Sequence, residues 1–246
     1  MWFGAAVKFS LIIPCYNEAR NLEILVSRCL EVASRADCEV ILVDNGSSDD
    51  TPVVLSRLLA EARNVRSIRV EVNQGYGFGI LSGLRAARGD ILAWTHADAQ
   101  TDPLDAVVGL EFFKDTPNPE RAFVKGRRYG RPLGDVVFTT GMSIFESALM
   151  LCPLEDINAQ PTMFHRSFFE TWSDPPHDFS LDLFAFVMAR RASFKVKRFP
   201  VRFGVRAFGT SSWNVSWRAK RKFIARTLDY SFRLRKSLRS AKHAAD

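Results

Sequence analysis

Apolar and polar positions along the first hundred residues follow two patterns in alternation. Four short runs rich in apolar and β-branched side chains, at 9–14, 39–43, 66–72 and 90–94, are separated by longer stretches in which apolar residues recur every three or four positions. The short runs predict strands and the longer spacing predicts helices. Their alternation predicts βαβ units around a mainly parallel sheet with flanking helices. The first helix is expected to begin near Asn21, where Leu22, Leu25, Val26, Cys29 and Leu30 form a stripe. The second is expected after Asp49-Asp50-Thr51-Pro52, where acidic and hydroxyl groups can cap and proline suits a first helical turn.

Beyond Asp102-Pro103 the pattern loosens. It predicts a helix to residue 113, a polar loop at 114–120, a short strand at 122–125 and a basic loop at 126–131. Helices at 136–151 and 181–191 then flank a loop containing Asp156-Ile157-Asn158-Ala159-Gln160-Pro161, and a strand follows at 195–203. The C-terminal stretch interleaves Trp213, Trp217, Phe223, Ile224, Leu228 and Phe232 with basic residues, which predicts an amphipathic helix. Two readings of that helix stand side by side: it lies on an anionic bilayer, or its apolar stripe packs on the core while its charges are solvated.

At 246 residues and 47% hydrophobic, the chain can bury one sizeable core. The organisation expected is one α/β domain over 1–212, with a nucleotide-sugar half at about 8–105 and an acceptor half at about 106–212, followed by a basic tail at 213–246. The net charge of +7 is concentrated in that tail, since 218–239 carries nine Lys/Arg against Asp229 alone. Cys15, Cys29, Cys38 and Cys152 lack CxxC spacing, so free thiols in a reducing compartment are expected. No secretory signal is read at the N-terminus. The most apolar stretch, 136–154, contains Glu146 and a Thr-Thr-Gly break, so no membrane span is expected. The protein is therefore expected to be cytoplasmic, with the tail allowing peripheral attachment to the inner face of the membrane.

In parallel sheets, ligands collect at the carboxyl ends of the strands. Three predicted strand ends are polar: Pro14-Cys15-Tyr16-Asn17-Glu18, Asp44-Asn45-Gly46-Ser47-Ser48-Asp49 and Thr95-His96-Ala97-Asp98-Ala99-Gln100. A tyrosine offers a stacking face for a base and a carboxylate accepts hydrogen bonds from base or ribose. The third cluster can hold a divalent cation against a diphosphate. Together these describe a nucleotide-diphosphate site. With Asn73-Gln74-Gly75-Tyr76-Gly77 and Asp102-Pro103, the same segments resemble the family 2 glycosyltransferases, and within them the dolichol-phosphate mannosyltransferase-like branch, strongly over about 8–105.

The resemblance implies a GT-A fold and an inverting transfer from a UDP- or GDP-sugar. It implies that Pro14, Tyr16 and Glu18 line the base and ribose pocket, that Asp44 hydrogen-bonds the base or ribose, and that Gly75, Tyr76 and Gly77 approach the nucleotide. It also implies Mn²⁺ or Mg²⁺ held by Asp98 and Gln100, with Asp98 serving catalysis as well. The first aspartate of the family's Asp-x-Asp is replaced here by His96, which either ligates the ion or packs at the strand end. The corresponding acceptor regions imply phosphate contacts from Arg127, Arg128, Arg131, Arg206 and Ser211. The implied acceptor is polyprenyl phosphate. The alternatives are a saccharide hydroxyl in cell-surface polysaccharide synthesis and a non-catalytic nucleotide-sugar-binding protein. A hydroxyl acceptor needs a general base, for which Asp156 is preferred over Asp178 and Asp182, the last two reading as helix caps or solvated acids. Nucleic acid is not an expected partner.

Overall fold

The computed structural model describes residues 9–35, 37–204 and 217–243. The four predicted strands form β1 (Phe9–Cys15), β2 (Cys38–Asn45), β3 (Val65–Val70) and β4 (Ile91–Trp94), alternating with helices α1 (Leu22–Arg35), α2 (Thr51–Leu58) and α3 (Tyr76–Ala86). β2 and β4 flank β1, and β3 lies outside β2, all parallel. Helix α1 buries Leu22, Leu25, Val26, Cys29 and Val32, while Leu30 of the expected stripe points to solvent. At α2 Pro52 sits in the first turn as expected, but Asp50 makes no side-chain cap; Asp49 Oδ1 accepts from the Thr51 amide instead.

The second half comprises α4 (Asp105–Lys114), β5 (Ala122–Tyr129), α5 (Leu133–Met150), β6 (Thr162–His165), α6 (Arg166–Glu170), α7 (Leu181–Arg191), β7 (Lys195–Arg202) and α8 (Trp217–His243). The seven strands make one sheet in the order β3-β2-β1-β4-β6-β5-β7. β6 is antiparallel to both β4 and β5, whereas β5 and β7 are parallel. Three expectations are corrected here. The segment read as a basic loop at 126–131 is strand as far as Tyr129, because β7 pairs with it along its whole length. α5 begins at Leu133, three residues earlier than expected. β6 has no counterpart in the sequence reading, since four residues between a proline and a short helix are too few to show a period.

The pleat divides the core. Phe9, Leu11, Ile13 and Cys15 face the α1 side, and Ile12 with its neighbours on β2 and β4 faces α3 and α7. The second layer is aromatic: Trp94, Phe164, Phe168 and Trp172 meet edge-on, and Phe123 stacks on Phe186 at 5.7 Å. Rings of this size dominate core energetics through the area they bury. All four cysteines are free.

Candidate active site

Because β1, β2 and β4 run parallel and adjacent, their carboxyl ends open on one edge of the sheet. The first two loops are bound together there. The Asn17 amide donates to Ser47 Oγ at 3.0 Å, the Ser48 amide donates to Asn17 Oδ1 at 2.9 Å, and the Glu18 amide donates to Thr51 Oγ1 at 2.9 Å. Tyr16 is left largely exposed at the mouth, while Glu18 accepts from Asn21. Asp44 is buried, accepts from the Ser47 amide at 3.0 Å and lies 3.3 Å from Arg69 Nη1. Arg69 was not singled out from sequence; it comes from β3, on the far side of β2. The crevice expected from Pro14, Tyr16, Glu18 and Asp44 is thus brought together.

Gly75 and Gly77 serve a different purpose from the one expected. Gly75, at φ +109°, starts α3, and a Cβ there would meet the His177 carbonyl oxygen. A Cβ on Gly77 would lie 2.6 Å from Pro176 O and 2.7 Å from Asp178 O. Phe78 N donates to His177 O at 2.9 Å. The two glycines admit the backbone of 176–178 onto the start of α3, so the protein itself fills the close approach that the sequence suggested for a nucleotide. Tyr76 likewise turns inward, stacking on Phe179 at 4.5 Å, and its hydroxyl lies 3.4 Å from His96 Nδ1.

The loop after β4 carries the third cluster. Asp98 Oδ1 accepts from the Gln100 amide at 3.1 Å, and Ala99 adopts φ +57° to make that turn. Gln100 is anchored to the end of β7: its Nε2 donates to Gly204 O at 3.1 Å and its carbonyl accepts from Gly204 N at 2.7 Å. His96 is stacked against Tyr76 at 5.5 Å. Burial holds its imidazole below the usual pKa, against the opposing pull of Asp98 and Asp182. Among the described residues no three His, Cys, Asp or Glu side chains gather as a metal cage. One carboxylate beside an imidazole and an amide suits a hard cation that takes most of its remaining ligands from water and a diphosphate. To that extent the residues fit a divalent ion shared with a diphosphate.

Behind this loop lies a network absent from the sequence reading. Lys125 and Asp182, 0% and 1% exposed, are 3.6 Å apart. Lys125 Nζ donates to Ala159 O at 2.7 Å and Thr162 Oγ1 at 2.6 Å. Asp182 Oδ1 accepts from Gln160 Nε2 at 2.7 Å and Trp94 Nε1 at 3.3 Å. Burial pushes the Lys125 ammonium down to about 8, with Asp182 pulling the other way. Asp182 is therefore neither a cap nor a solvated acid, and Lys125, at the end of the strand expected over 122–125, is a buried cation. A lysine inside an apolar strand and an aspartate inside Leu181-Asp182-Leu183-Phe184 were the available signals.

The acceptor-side candidates separate. Asp156 accepts from the Arg128 amide at 2.8 Å and from Arg128 Nε at 2.9 Å, is also bonded by Arg128 Nη2, and lies 3.5 Å from Arg131 Nη2. Burial alone would raise its pKa, but the bonds and charge of Arg128, with Arg131, hold the carboxyl below the usual range. A general base works best with a pKa near the operating pH, so this geometry corrects the expectation that Asp156 is the base. Arg127 points outward onto Glu155, and Asp178 pairs with Arg226 at 3.2 Å. Arg206 and Ser211 lie outside the described residues. Arg128 also lines a cavity of about 70 Å³ between α5, α7 and α8, walled by Phe138, Met142 and Leu183 and equally by Ser143, Glu146 and Asn158. α8 packs there on the core: Ser231 Oγ donates to buried Glu146 at 2.6 Å, and Leu234 is buried.

Among curated proteins, the glycosyltransferase AglD of Haloferax volcanii is 29% identical over 218 residues, covering 80% of this chain and 33% of that protein. A dolichol-phosphate mannosyltransferase of Mycosarcoma maydis is 34% identical over 127 residues, 49% of this chain and 42% of its own length. An undecaprenyl-phosphate 4-deoxy-4-formamido-L-arabinose transferase of Sodalis glossinidius is 37% identical over 100 residues, 39% of this chain and 30% of its own. The chain thus spans from under a third to about two-fifths of the length of these relatives. Among solved structures, glucosyl-3-phosphoglycerate synthase of Mycobacterium tuberculosis, crystallised with Mn²⁺ and UDP-glucose, superposes with a TM-score of 0.69 at 19% identity, covering 91% of this chain and 78% of that one. The architecture is the GT-A fold that the resemblance implies. Residues 10–196, most of the chain and all three strand-end loops, match Glycosyl transferase family 2, and the chain belongs to that family.

Proposed function

We propose that the chain transfers a sugar from a UDP- or GDP-sugar, bound at the carboxyl ends of β1, β2 and β4, to a polyprenyl phosphate. The observation that carries the acceptor is Arg128, which joins Asp156 in an ion pair and lines a cavity with Phe138, Met142, Ile157 and Leu183 on its apolar side and Ser143, Glu146 and Asn158 on its polar side. Guanidinium forks suit phosphate oxygens and the apolar side of the cavity suits hydrocarbon, so the pair of features fits an acceptor that has both. A phosphate is already ionised and needs no base, which agrees with a carboxylate locked by two arginines. A saccharide hydroxyl would need a base that Asp156, so held, does not supply. The relatives named for dolichol and undecaprenyl phosphate point the same way.

In this reading Tyr16 stacks on the base at the open mouth, and Pro14 and Glu18 border it. Asp44, oriented by the Ser47 amide and Arg69, takes a base or ribose donor. Asp98, with His96 and Gln100 beside it, holds the divalent ion. That ion, when bound, neutralises charge developing on the departing diphosphate. Displacement at C1 by the acceptor oxygen inverts the sugar. The basic tail over 213–239 attaches the protein peripherally to the inner face of the membrane.

The test is nucleoside-diphosphate release from a panel of UDP-, GDP- and dTDP-sugars, with and without Mn²⁺ or Mg²⁺ and with and without polyprenyl phosphate in detergent. Release that rises with the lipid and is lost in Asp98→Ala supports the reading. Donor binding with no lipid-dependent release refutes it, and failure with saccharide acceptors too leaves a binding protein only.

A further inference from the structure

Helix α5 turns much of its apolar surface outward. Its buried positions are Ser143, Glu146 and Met150, and Glu146 is met there by Ser231 of α8. Facing outward, Leu133, Val137, Ile144 and Leu151 are 78, 65, 66 and 73% exposed. At 3.6 residues per turn Leu133, Val137 and Ile144 fall in one stripe about 40° wide, and Leu151, which caps the helix at φ +56°, follows its end. Thr140 borders this stripe on one side, and on the other Ala148, Gly141, Phe145 and Phe138 follow at about 60° to 140° from Leu133, so the outward apolar arc is about 140° wide. The helix's charged residues, Asp135 and Glu146, both lie off this arc. A helix in water buries its apolar stripe and solvates its polar one, and a continuous exposed apolar strip of this kind marks an interaction surface.

The neighbouring helix says what covers it. Phe145 meets Phe232 of α8 at 6.3 Å, and Phe232 is itself exposed. Helical spacing sets Arg221, Lys236 and Arg239 on the same face of α8 as Phe232; all three are exposed, and none forms an ion pair with another described residue. Apolar rings bordered by exposed cations complement an anionic lipid surface. A second copy of the chain is disfavoured, because two-fold pairing through this face would set the same cations against one another. No helix among the described residues is long and apolar enough to cross a membrane. The geometry points to α5 lying in the plane of an anionic bilayer, its Leu133–Leu151 stripe in the acyl boundary and Arg221, Lys236 and Arg239 among the headgroups. The cavity beneath α5 then opens beside the lipid.

This surface goes beyond the acceptor reading and is tested with neither donor nor acceptor. Purified protein is floated with phosphatidylcholine vesicles, with and without phosphatidylglycerol. The wild type should bind only the anionic vesicles. Val137→Glu/Ile144→Glu should weaken binding at least about tenfold, and Arg221→Gln/Lys236→Gln/Arg239→Gln by about a hundredfold, both with thermal midpoints near that of the wild type. Hydroxyl-radical labelling of the wild type gives an answer that does not depend on variant folding: Leu133 and Phe145 should be protected by anionic vesicles. Wild-type vesicle affinity in the double glutamate variant, or unprotected α5 side chains, overturns the proposal. Concentration-dependent dimerisation abolished by the same variant, without vesicle binding, assigns the face to a second copy and overturns it equally.

Discussion

Replacing Lys125 by methionine tests whether the buried network behind the Asp98 loop is held together by charge. In the wild type Lys125 and Asp182 lie 3.6 Å apart with almost no solvent contact, and Asp182 also accepts from Gln160 and Trp94. Lys125→Met leaves that carboxylate buried without its counter-charge, which costs about 3–5 kcal/mol. For a chain of this size each kcal/mol moves the melting temperature by about 2–4 °C, so a fall of roughly 6–20 °C is expected in thermal unfolding. Lys125→Met/Asp182→Asn removes both charges while keeping an acceptor for Trp94 and Gln160, and should recover most of the loss. The pH dependence carries a sign. Lys125 titrates at about 8 in the folded protein against about 10.4 when unfolded, so between those values the unfolded chain binds more protons and this group makes stability rise with pH. The buried thiols, whose pKa values burial raises, drive the opposite slope above about pH 8.5. They are common to both proteins and cancel in the wild-type minus Lys125→Met difference, which carries the slope of the Lys125–Asp182 pair. A single variant costing under about 1 kcal/mol, or a double variant no more stable than the single, would refute the reasoning.

Three further outcomes are expected. His96→Asp adds a hard oxygen ligand beside Asp98 and should tighten Mn²⁺ or Mg²⁺ about tenfold in calorimetry with the nucleoside diphosphate present, which is about 1.4 kcal/mol. Gly75→Ala places a Cβ against the His177 carbonyl at φ +109° and should destabilise by about 1–3 kcal/mol in chemical denaturation. Glu146, whose pKa burial raises, gives stability that is present below about pH 4.3 and lost as pH rises through its folded value; Glu146→Gln keeps an acceptor for Ser231 and should flatten that limb of the stability curve.

The chemistry of the donor site was legible because it sits at strand ends. Once four apolar runs are read as parallel strands, Tyr16, Asp44 and Asp98 must fall on one edge, whatever the packing. What Gly75 and Gly77 admit was not legible, since a glycine signals room for a close approach and does not name the occupant. Here the occupant is the backbone of 176–178, a hundred residues away in the chain. Asp156 was found, but its role changed, because a carboxylate's proton affinity is set by its neighbours, and Arg128 reaches it only through the β5 pairing.

The sequence by itself determined the βαβ half, the polar strand ends and the family, all of which rest on local period and short motifs. Tertiary structure alone decided three things: that Lys125 and Asp182 are buried together, that β6 turns antiparallel between β4 and β5, and that α5 shows its apolar side outward. Burial and pairing are relations between distant segments. A helical stripe fixes which residues share a face, and only the packing of the whole chain fixes which way that face points.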